Sequence, residues 1–131
     1  MQKVSLLIVE DEPSLQQLLT EAMSLECNIT VAGRGDQALA AAFANPPDLI
    51  LLDVGLPDMT GYEICRQIKA DARFDQTPII FLTSYSDLDK ELRGIEAGAI
   101  DYMTKPINVL KLRAKLKNHI AVVQARQRAD K

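Results

Sequence analysis

The sequence LLIVEDEP at residues 6–13 combines three signals that belong to one strand–helix unit. Its first four residues are apolar without a break, which is typical of a strand covered on both faces of a parallel sheet. Glu10 and Asp11 follow directly, and Pro13 suits the first turn of a helix with regularly spaced leucines. We therefore expect an α/β protein that places two carboxylates where its first strand ends.

Three later strand-like runs also end in polar or charged residues. Leu49–Leu52 is followed by Asp53, Ile79–Leu82 by Thr83, and Ile100–Met103 by Thr104, Lys105 and Pro106. The carboxyl ends of parallel strands share one edge of a sheet, and ligands bind there at the point where strand order reverses. The pattern predicts one shallow site with three carboxylates, a hydroxyl and an ammonium group, which suits a cation and a phosphoryl group.

Strand and helix patterns alternate through all 131 residues, with no repeat, linker or low-complexity segment. The predicted strands are Val4–Val9, Ile29–Ala32, Asp48–Asp53, Ile79–Thr83 and Ile100–Thr104. The first predicted helix begins at Pro13, the second covers Ala38–Ala44, and the third follows a capping box of Thr60 and Glu63. The fourth covers Leu88–Ala97, and the fifth begins at about Val109. Five strands, each followed by a helix, predict one doubly wound three-layer α/β domain.

Composition is that of an ordinary soluble domain, with 47% hydrophobic and 25% charged residues. No run approaches the ~18 apolar residues of a membrane span, and no leader of the secretory type begins the chain. We therefore expect a cytoplasmic protein with no membrane partner. Cys27 and Cys65 form no CxxC pattern, which favours free buried thiols over a disulfide or a metal pair.

The net charge of -3 is unevenly distributed along the chain. From residue 107 onward seven basic residues face the single acid Asp130, which gives +6 there and -9 in the rest of the chain. No aromatic residues lie between these basic residues, so a solvated helix face is favoured over direct binding of nucleic acid. His119 lies in the same segment, away from the strand ends, and is expected to be a surface or packing residue rather than a zinc ligand.

The three predicted carboxylates need a positive partner. Like charges ~4 Å apart at a protein surface repel by about 4 kcal/mol per pair. A hard divalent ion that keeps several waters suits them, so we expect Mg²⁺, with Mn²⁺ able to substitute. Asp53 would then be an oxygen nucleophile aimed at phosphorus. As a plain strand end it would be costly to bury, while helix capping explains Glu10 or Asp11 but not both.

Four segments together resemble one known family: LLIVEDEPSLQQLL at 6–19, DLILLDVGLPDMTGYEICRQIK at 48–69, PIIFLTS at 78–84 and GAIDYMTKPIN at 98–108. They resemble the receiver domain of bacterial two-component response regulators. The resemblance implies a flavodoxin-like, five-stranded parallel sheet of order 2-1-3-4-5. It also implies that a histidine kinase or a phosphotransfer domain phosphorylates Asp53 in a Mg²⁺-dependent reaction. The receiver domain would cover residues 1–122, with a helix extension or linker at 123–131.

The resemblance also implies roles for individual residues. Asp11 and Asp53 would give carboxylate ligands to the ion, Gly55 its backbone carbonyl, and Glu10 a contact through a metal-bound water. Thr83 and Lys105 would bind the phosphoryl oxygens, Thr83 and Tyr102 would be the switch residues, and the bond before Pro106 would be cis. Glu10 departs from the more usual pair of aspartates and lengthens one ligand arm.

Such a domain is a regulatory phosphoacceptor rather than a separate enzyme, although it promotes its own phosphotransfer and dephosphorylation. It would signal through the face formed by the fourth helix, the fifth strand and the last helix. Tyr85 is expected to shield the phosphoryl group from water. The last helix carries an apolar seam of Leu112, Leu116, Ile120 and Val123. We expect Ile120 and Val123 to extend past the domain body and to offer a contact for a second copy or an output domain. The alternative is a frayed tail, because so short a seam is marginal alone.

Two other interpretations stay open. A degenerate receiver would fold in the same way but would signal only by protein contact, without phosphorylation. An enzyme or a flavin binder on the same fold is disfavoured by two features of the sequence. Gly55 stands where an Asp-x-Asp phosphatase has its second acid, and residues 10–13 replace the Ser/Thr-rich phosphate loop of a flavin binder.

Overall fold

The computed structural model describes residues 3–84 and 97–129. The strands are β1 (Val4–Val9), β2 (Cys27–Ala32), β3 (Leu49–Asp53), β4 (Ile79–Thr83) and β5 (Asp101–Thr104). The helices are α1 (Pro13–Met23), α2 (Gly35–Ala44), α3 (Gly61–Lys69) and the C-terminal helix (Val109–Ala129), with a short 3₁₀ helix at Ala72–Phe74. Tyr85 and all but the last residue of the predicted helix Leu88–Ala97 lie outside the described residues.

All five strands form one parallel sheet in the order β2-β1-β3-β4-β5. The predicted flavodoxin-like α/β architecture is therefore confirmed. The strand order reverses between β1 and β3, so the carboxyl ends of these two strands form the crevice where ligands bind in open α/β sheets. β3 is inner and covered on both faces, which explains why Leu49–Leu52 are apolar without a break and 0% exposed.

Alternate side chains of each strand point to opposite faces of the sheet and form two hydrophobic cores. On one face, Leu6, Ile8, Leu49 and Leu51 pack with residues of α1 and the C-terminal helix. On the other face, Leu7, Val9, Ile50 and Leu52 pack with residues of α2 and α3. The two cores hold the strand ends at the carboxyl edge in fixed positions.

The start of α2 differs from the prediction. The helix begins at Gly35 rather than at Ala38, and its own N-cap residue, Arg34, makes no side-chain capping bond. The carboxylate of Asp58 accepts hydrogen bonds from the backbone amides of Gly35 and Asp36 instead, at 2.7 and 3.0 Å. Because the capping group lies in another part of the chain, the local sequence does not reveal the earlier start.

The C-terminal helix corrects a second expectation. Ile120 and Val123 are each 6% exposed and belong to the core that contains Val4 and Cys27, so the prediction that they extend past the domain body is wrong. The second half of the helix packs on apolar residues at the amino ends of β1 and β2, Val4 and Cys27. The division after residue 122 remains a prediction, and the helix crosses it without a break.

Polar contacts hold both halves of the C-terminal helix against the domain. The guanidinium of Arg113 donates to the Ala22 carbonyl at the end of α1 and to the Glu26 carboxylate at 2.6 Å. Farther along, Arg126 donates to the Gln76 carbonyl at 2.8 Å. Within residues 3–84 and 97–129, no helix combines the length and apolar character that crossing a membrane requires.

Two adjacent valines test the position of the helix end. Val123→Ala should lower the free energy of unfolding by about 2 kcal/mol, because it removes two buried methyl groups. Val122→Ala should change it by less than about 0.5 kcal/mol, because that side chain is 46% exposed. The gain in helix propensity is the same in both variants, so it cancels in the comparison. Urea unfolding measures both, and equal effects would contradict the packing of Val123.

Candidate functional site

Glu10 lies at the end of β1 with its side chain fully buried. Its Oε2 accepts a hydrogen bond from the Glu12 amide at 3.0 Å, and its Oε1 lies 2.9 Å from Lys105 Nζ. The side-chain amide of Gln16, on α1, donates to the Glu10 carbonyl at 2.5 Å. The first turn of α1 and the end of β5 thus fix the backbone and the carboxylate of Glu10 together.

Asp53 ends β3 and is 5% exposed. Its Oδ1 accepts a hydrogen bond from the Gly55 amide at 3.1 Å, and its Oδ2 lies 3.3 Å from Lys105 Nζ. Asp11 is exposed, and one carboxylate oxygen from each of Glu10, Asp11 and Asp53 lies within 4.8 Å of the other two. The structure therefore brings all three sequence-predicted acids together at the reversal of strand order.

Lys105 lies directly after β5 and bridges two of the acids. Its backbone amide donates to the Thr83 carbonyl at 2.7 Å, which joins the ends of β4 and β5, and its peptide bond to Pro106 is cis. Thr83 is buried and contributes to the same pocket. The pocket is lined by Glu10, Asp11, Glu12, Asp53, Val54, Gly55, Thr83, Ser84 and Lys105.

Tyr102 lies on β5, outside the wall of this pocket. It is half-buried, in register with Phe81 of β4, and its carbonyl accepts a hydrogen bond from Lys115 Nζ at 3.1 Å. Lys115 Nζ also lies 3.1 Å from Asp101 Oδ1, and His119 Nε2 lies 3.1 Å from Asp101 Oδ2. His119 therefore does not line the pocket of Glu10, Asp11 and Asp53. It belongs to a charged cluster between β5 and the C-terminal helix.

Burial and charge shift the pKa values of two site residues. Burial raises the pKa of the Glu10 carboxyl, and the Glu12 amide and Lys105 offset this only in part. Burial lowers the pKa of the Lys105 ammonium, but the contacts with Glu10 and Asp53 outweigh it and the pKa is raised. Within the described residues, the one ammonium group of the site contacts two of the three carboxylates, and the site retains an excess of negative charge.

The donor set fits a hard divalent cation. The three acids offer oxygen atoms, and within the described residues no thiol or imidazole joins them in a ligand cluster. Glu10 Oε1 is buried and makes no hydrogen bond of good geometry, in spite of its ion pair with Lys105. A buried oxygen that lacks a hydrogen bond is suited to accept one from a water of a hydrated ion.

Two residues that position the site were missed by sequence analysis. Gly61 begins α3 so close to Asp53 that a Cβ atom there would lie 2.5 Å from the Asp53 carbonyl oxygen and 2.9 Å from Val54 Cα. Asp58 joins the loop after β3 to α2, as described above. The Thr-Gly pair at the start of α3 is a signal that could have identified Gly61, whereas nothing local identifies the partner of Asp58.

Comparison with known proteins agrees with the fold. The sequence profile described as response regulator receiver domain matches residues 6–117. The probable transcriptional regulatory protein TcrX of Mycobacterium tuberculosis is 39% identical over 121 residues, which are 88% of this chain and 51% of that protein. The chain spans about half or less of the length of the curated relatives it matches, between 8% and 51% of three of them.

Two solved structures are similar to this chain over almost their whole length. Chemotaxis protein CheY4 of Vibrio cholerae has a TM-score of 0.85 at 29% identity, covering 89% of this chain and 98% of that one. The BeF3-activated receiver domain of DrrB, a Thermotoga maritima protein, has a TM-score of 0.84 at 33% identity, covering 92% and 99%.

The role of Lys105 in balancing the acids is testable through stability. Without divalent ions at pH 7, Lys105→Met should lower the free energy of unfolding by about 3 kcal/mol, because Glu10 would remain buried without its cation. The matched control is Lys115→Met, because Lys115 and Asp101 are 38% and 24% exposed. That control should lose less than about 1 kcal/mol.

The pH dependence gives the same test a second readout. The folded-state pKa of Glu10 is raised above its ordinary value of 4.5, so its protonated form favours folding. The loss in Lys105→Met should therefore shrink between pH 7 and pH 4.5, because protonation removes the buried charge that lacks a partner in the variant. Urea unfolding at both pH values measures this. A loss that stays constant, or that equals the loss in Lys115→Met, would contradict the buried pairing.

Proposed function

We propose that this chain, which belongs to the response regulator receiver domain family, accepts a phosphoryl group on Asp53 from a phosphohistidine donor in a Mg²⁺-dependent reaction. The observation that carries the proposal is the position of Asp53 in the pocket. It is one of three acids gathered there and lies 3.3 Å from an ammonium group. A carboxylate in such a place can act as a nucleophile, and the Lys105 ammonium would stabilise its product, a charged acyl phosphate.

The chemical step forms one bond and breaks one. A carboxylate oxygen of Asp53 attacks phosphorus, and the bond from phosphorus to the histidine nitrogen of the donor breaks. The electron pair leaves with the imidazole ring, which takes a proton from solvent. The Gly55 amide, 3.1 Å from Oδ1, orients the carboxylate, and the Lys105 ammonium offsets the charge that the phosphoryl oxygens bring.

Asp11, Asp53 and the Gly55 carbonyl are the proposed direct ligands of Mg²⁺, and Glu10 would accept a hydrogen bond from a metal-bound water. The bound ion would supply positive charge to the phosphoryl oxygens, and Mn²⁺ would substitute for it. The full burial of Glu10 and the exposure of Asp11 support these different roles. Asp11 is free to approach a hydrated ion, whereas Glu10 is held back by its contact with Lys105.

The proposed output is a change at the surface formed by the predicted fourth helix, β5 and the C-terminal helix. Thr83 would turn its hydroxyl toward the phosphoryl group, and Tyr102 would move into the space beside it. The groove between β5 and the C-terminal helix, lined in part by Tyr102, Lys111, Lys115 and Asn118, supports this location. A second copy or an output domain would bind there without using the buried Ile120 and Val123.

A histidine kinase or a phosphotransfer domain is the proposed phosphoryl donor, and a cytoplasmic location belongs to the same proposal. Cys27 and Cys65 are both free and buried, as in proteins of a reducing compartment. The alternative, a receiver that signals only by contact, would not need the three acids and the lysine in one pocket. Phosphorylation itself distinguishes the two.

Asp53→Asn tests the nucleophile. The amide keeps the shape of the side chain but loses the charge that attacks phosphorus, so labelling by radioactive acetyl phosphate with Mg²⁺ should be abolished. Asp101→Asn is the control, because it removes a carboxylate at the first residue of β5, which does not line the pocket. Labelling of Asp53→Asn at the unsubstituted rate would contradict the proposal, and a chain that is never labelled would favour the contact-only receiver.

Asp11→Ala tests the metal ligands. The variant should bind Mg²⁺ at least about tenfold more weakly, equivalent to about 1.4 kcal/mol. Without divalent ions it should be no less stable than the unsubstituted chain, because one of three repelling acids is gone. A Mg²⁺ titration followed by amide chemical shifts gives the affinity, and urea unfolding gives the stability. An unchanged affinity would exclude Asp11 as a ligand.

A further inference from the structure

We propose that Asp58 is a positioning residue for the Asp53 site, because it fixes the loop between β3 and α3 to the N-terminus of α2. The inference deepens the proposed function, since this loop carries Gly55, the proposed backbone ligand. Asp58 itself does not line the pocket. It would therefore act through the shape of the loop and not by contact with the ion or the phosphoryl group.

The contact between Asp58 and α2 is specific and uses both carboxylate oxygens. Oδ1 accepts the Gly35 amide at 2.7 Å and Oδ2 accepts the Asp36 amide at 3.0 Å. Arg34 Nη2 lies 3.8 Å from Oδ2, and the Asp58 side chain is only 17% exposed. The two backbone hydrogen bonds lower the pKa of the Asp58 carboxyl. The loop thus satisfies two amides that α2 cannot satisfy with its own N-cap residue.

Packing accompanies these hydrogen bonds. A Cβ atom at Gly35 would lie 2.2 Å from Met59 Cγ, so the loop and the first turn of α2 approach as closely as a glycine allows. At its other end, the loop is closed on itself. Gly61 donates to the Val54 carbonyl at 2.8 Å, and Gly55 and Thr60 form an isolated antiparallel bridge. The loop is therefore held at its base by β3 and α3 and at its tip by α2.

Gly55 depends on these anchors because little else supports it. The space around its Cβ position is open, with no atom of the described residues within 4 Å apart from those of Gly55 and its two chain neighbours. Its amide points to Asp53 Oδ1, and its bridge partner Thr60 lies two residues after Asp58. Release of the tip from α2 would let the segment between Gly55 and Thr60 adopt other conformations, only some of which would present the Gly55 carbonyl to an ion. Metal binding would then weaken.

Asp58→Ala tests the inference by measuring Mg²⁺ affinity directly and through labelling. The dissociation constant for Mg²⁺, from amide chemical shifts without any phosphoryl donor, should rise by about tenfold. The Mg²⁺ concentration that gives half the maximal rate of labelling by acetyl phosphate should rise by the same factor. The rate at saturating Mg²⁺ should stay close to that of the unsubstituted chain, because Asp58 does not touch the reacting atoms.

Two further variants complete the test. Asp58→Asn keeps one acceptor and should give a smaller shift in the same direction. Asp71→Ala is the matched control, because Asp71 also accepts a backbone amide and pairs with an arginine, Arg73, but lies by the 3₁₀ helix. It should leave Mg²⁺ binding unchanged. Circular dichroism confirms that each variant is folded, and if Asp58→Ala does not fold, Asp58→Asn carries the test.

The outcomes separate this inference from the proposed function. Unchanged Mg²⁺ affinity in a folded Asp58 variant would overturn the inference, and so would an equal loss in Asp71→Ala. If the unsubstituted chain binds Mg²⁺ but is never labelled, the proposed function fails. A weaker affinity in Asp58→Ala would still support the positioning role in that case.

Discussion

Mutual repulsion of three carboxylates around one ammonium is the constraint on which the site depends. At ~4 Å each pair repels by about 4 kcal/mol near a protein surface. Of the three acids, Lys105 contacts Glu10 and Asp53, at 2.9 and 3.3 Å. The fold holds the acids together because they follow strands that carry fully buried apolar residues such as Ile8 and Leu52. Apolar burial therefore stabilises an arrangement that the charges alone would oppose. The uncompensated negative charge is also what makes a cation a natural partner.

Most of the fold and most of the site could be predicted because both depend on short-range patterns. Continuous apolar runs identify the buried strands, and the parallel sheet then places the residue after each run at one edge. Glu10, Asp53 and Thr83 follow such runs, Lys105 follows the shorter and less apolar β5, and the structure brings all four into one pocket. The helix cap at Thr60 could also be predicted from the sequence, because its hydroxyl accepts a hydrogen bond from the amide of Glu63, three residues later. The strand order came from the resemblance, since periodicity does not determine it.

The features that the sequence did not reveal depend on residues far apart in the chain. The start of α2 depends on Asp58, which lies 23 residues after Gly35. The burial of Ile120 and Val123 depends on the amino ends of β1 and β2, which leave apolar residues for the C-terminal helix to cover. The heptad-like spacing of those residues predicted an apolar face correctly. It did not identify the surface against which the face packs, so a buried seam was interpreted as an exposed one.

The contacts around Asp53 differ in kind between the α2 side and the β5 side of the pocket. This difference indicates which side would move in the proposed signal. Toward α2, the loop is held by backbone hydrogen bonds to Asp58 and by close packing at Gly35 and Gly61, which resist movement. Toward β5, Lys105 is joined to Asp53 by an ion pair, and the surface beyond is held by Lys115 and by charged contacts around Asp101. The Lys115–Asp101 pair is partly exposed, and such pairs contribute little stability and rearrange at small cost, unlike the buried contact of Lys105 with Glu10. A new charge on Asp53 would therefore displace the β5 side first, because the α2 side has no comparable freedom to adjust.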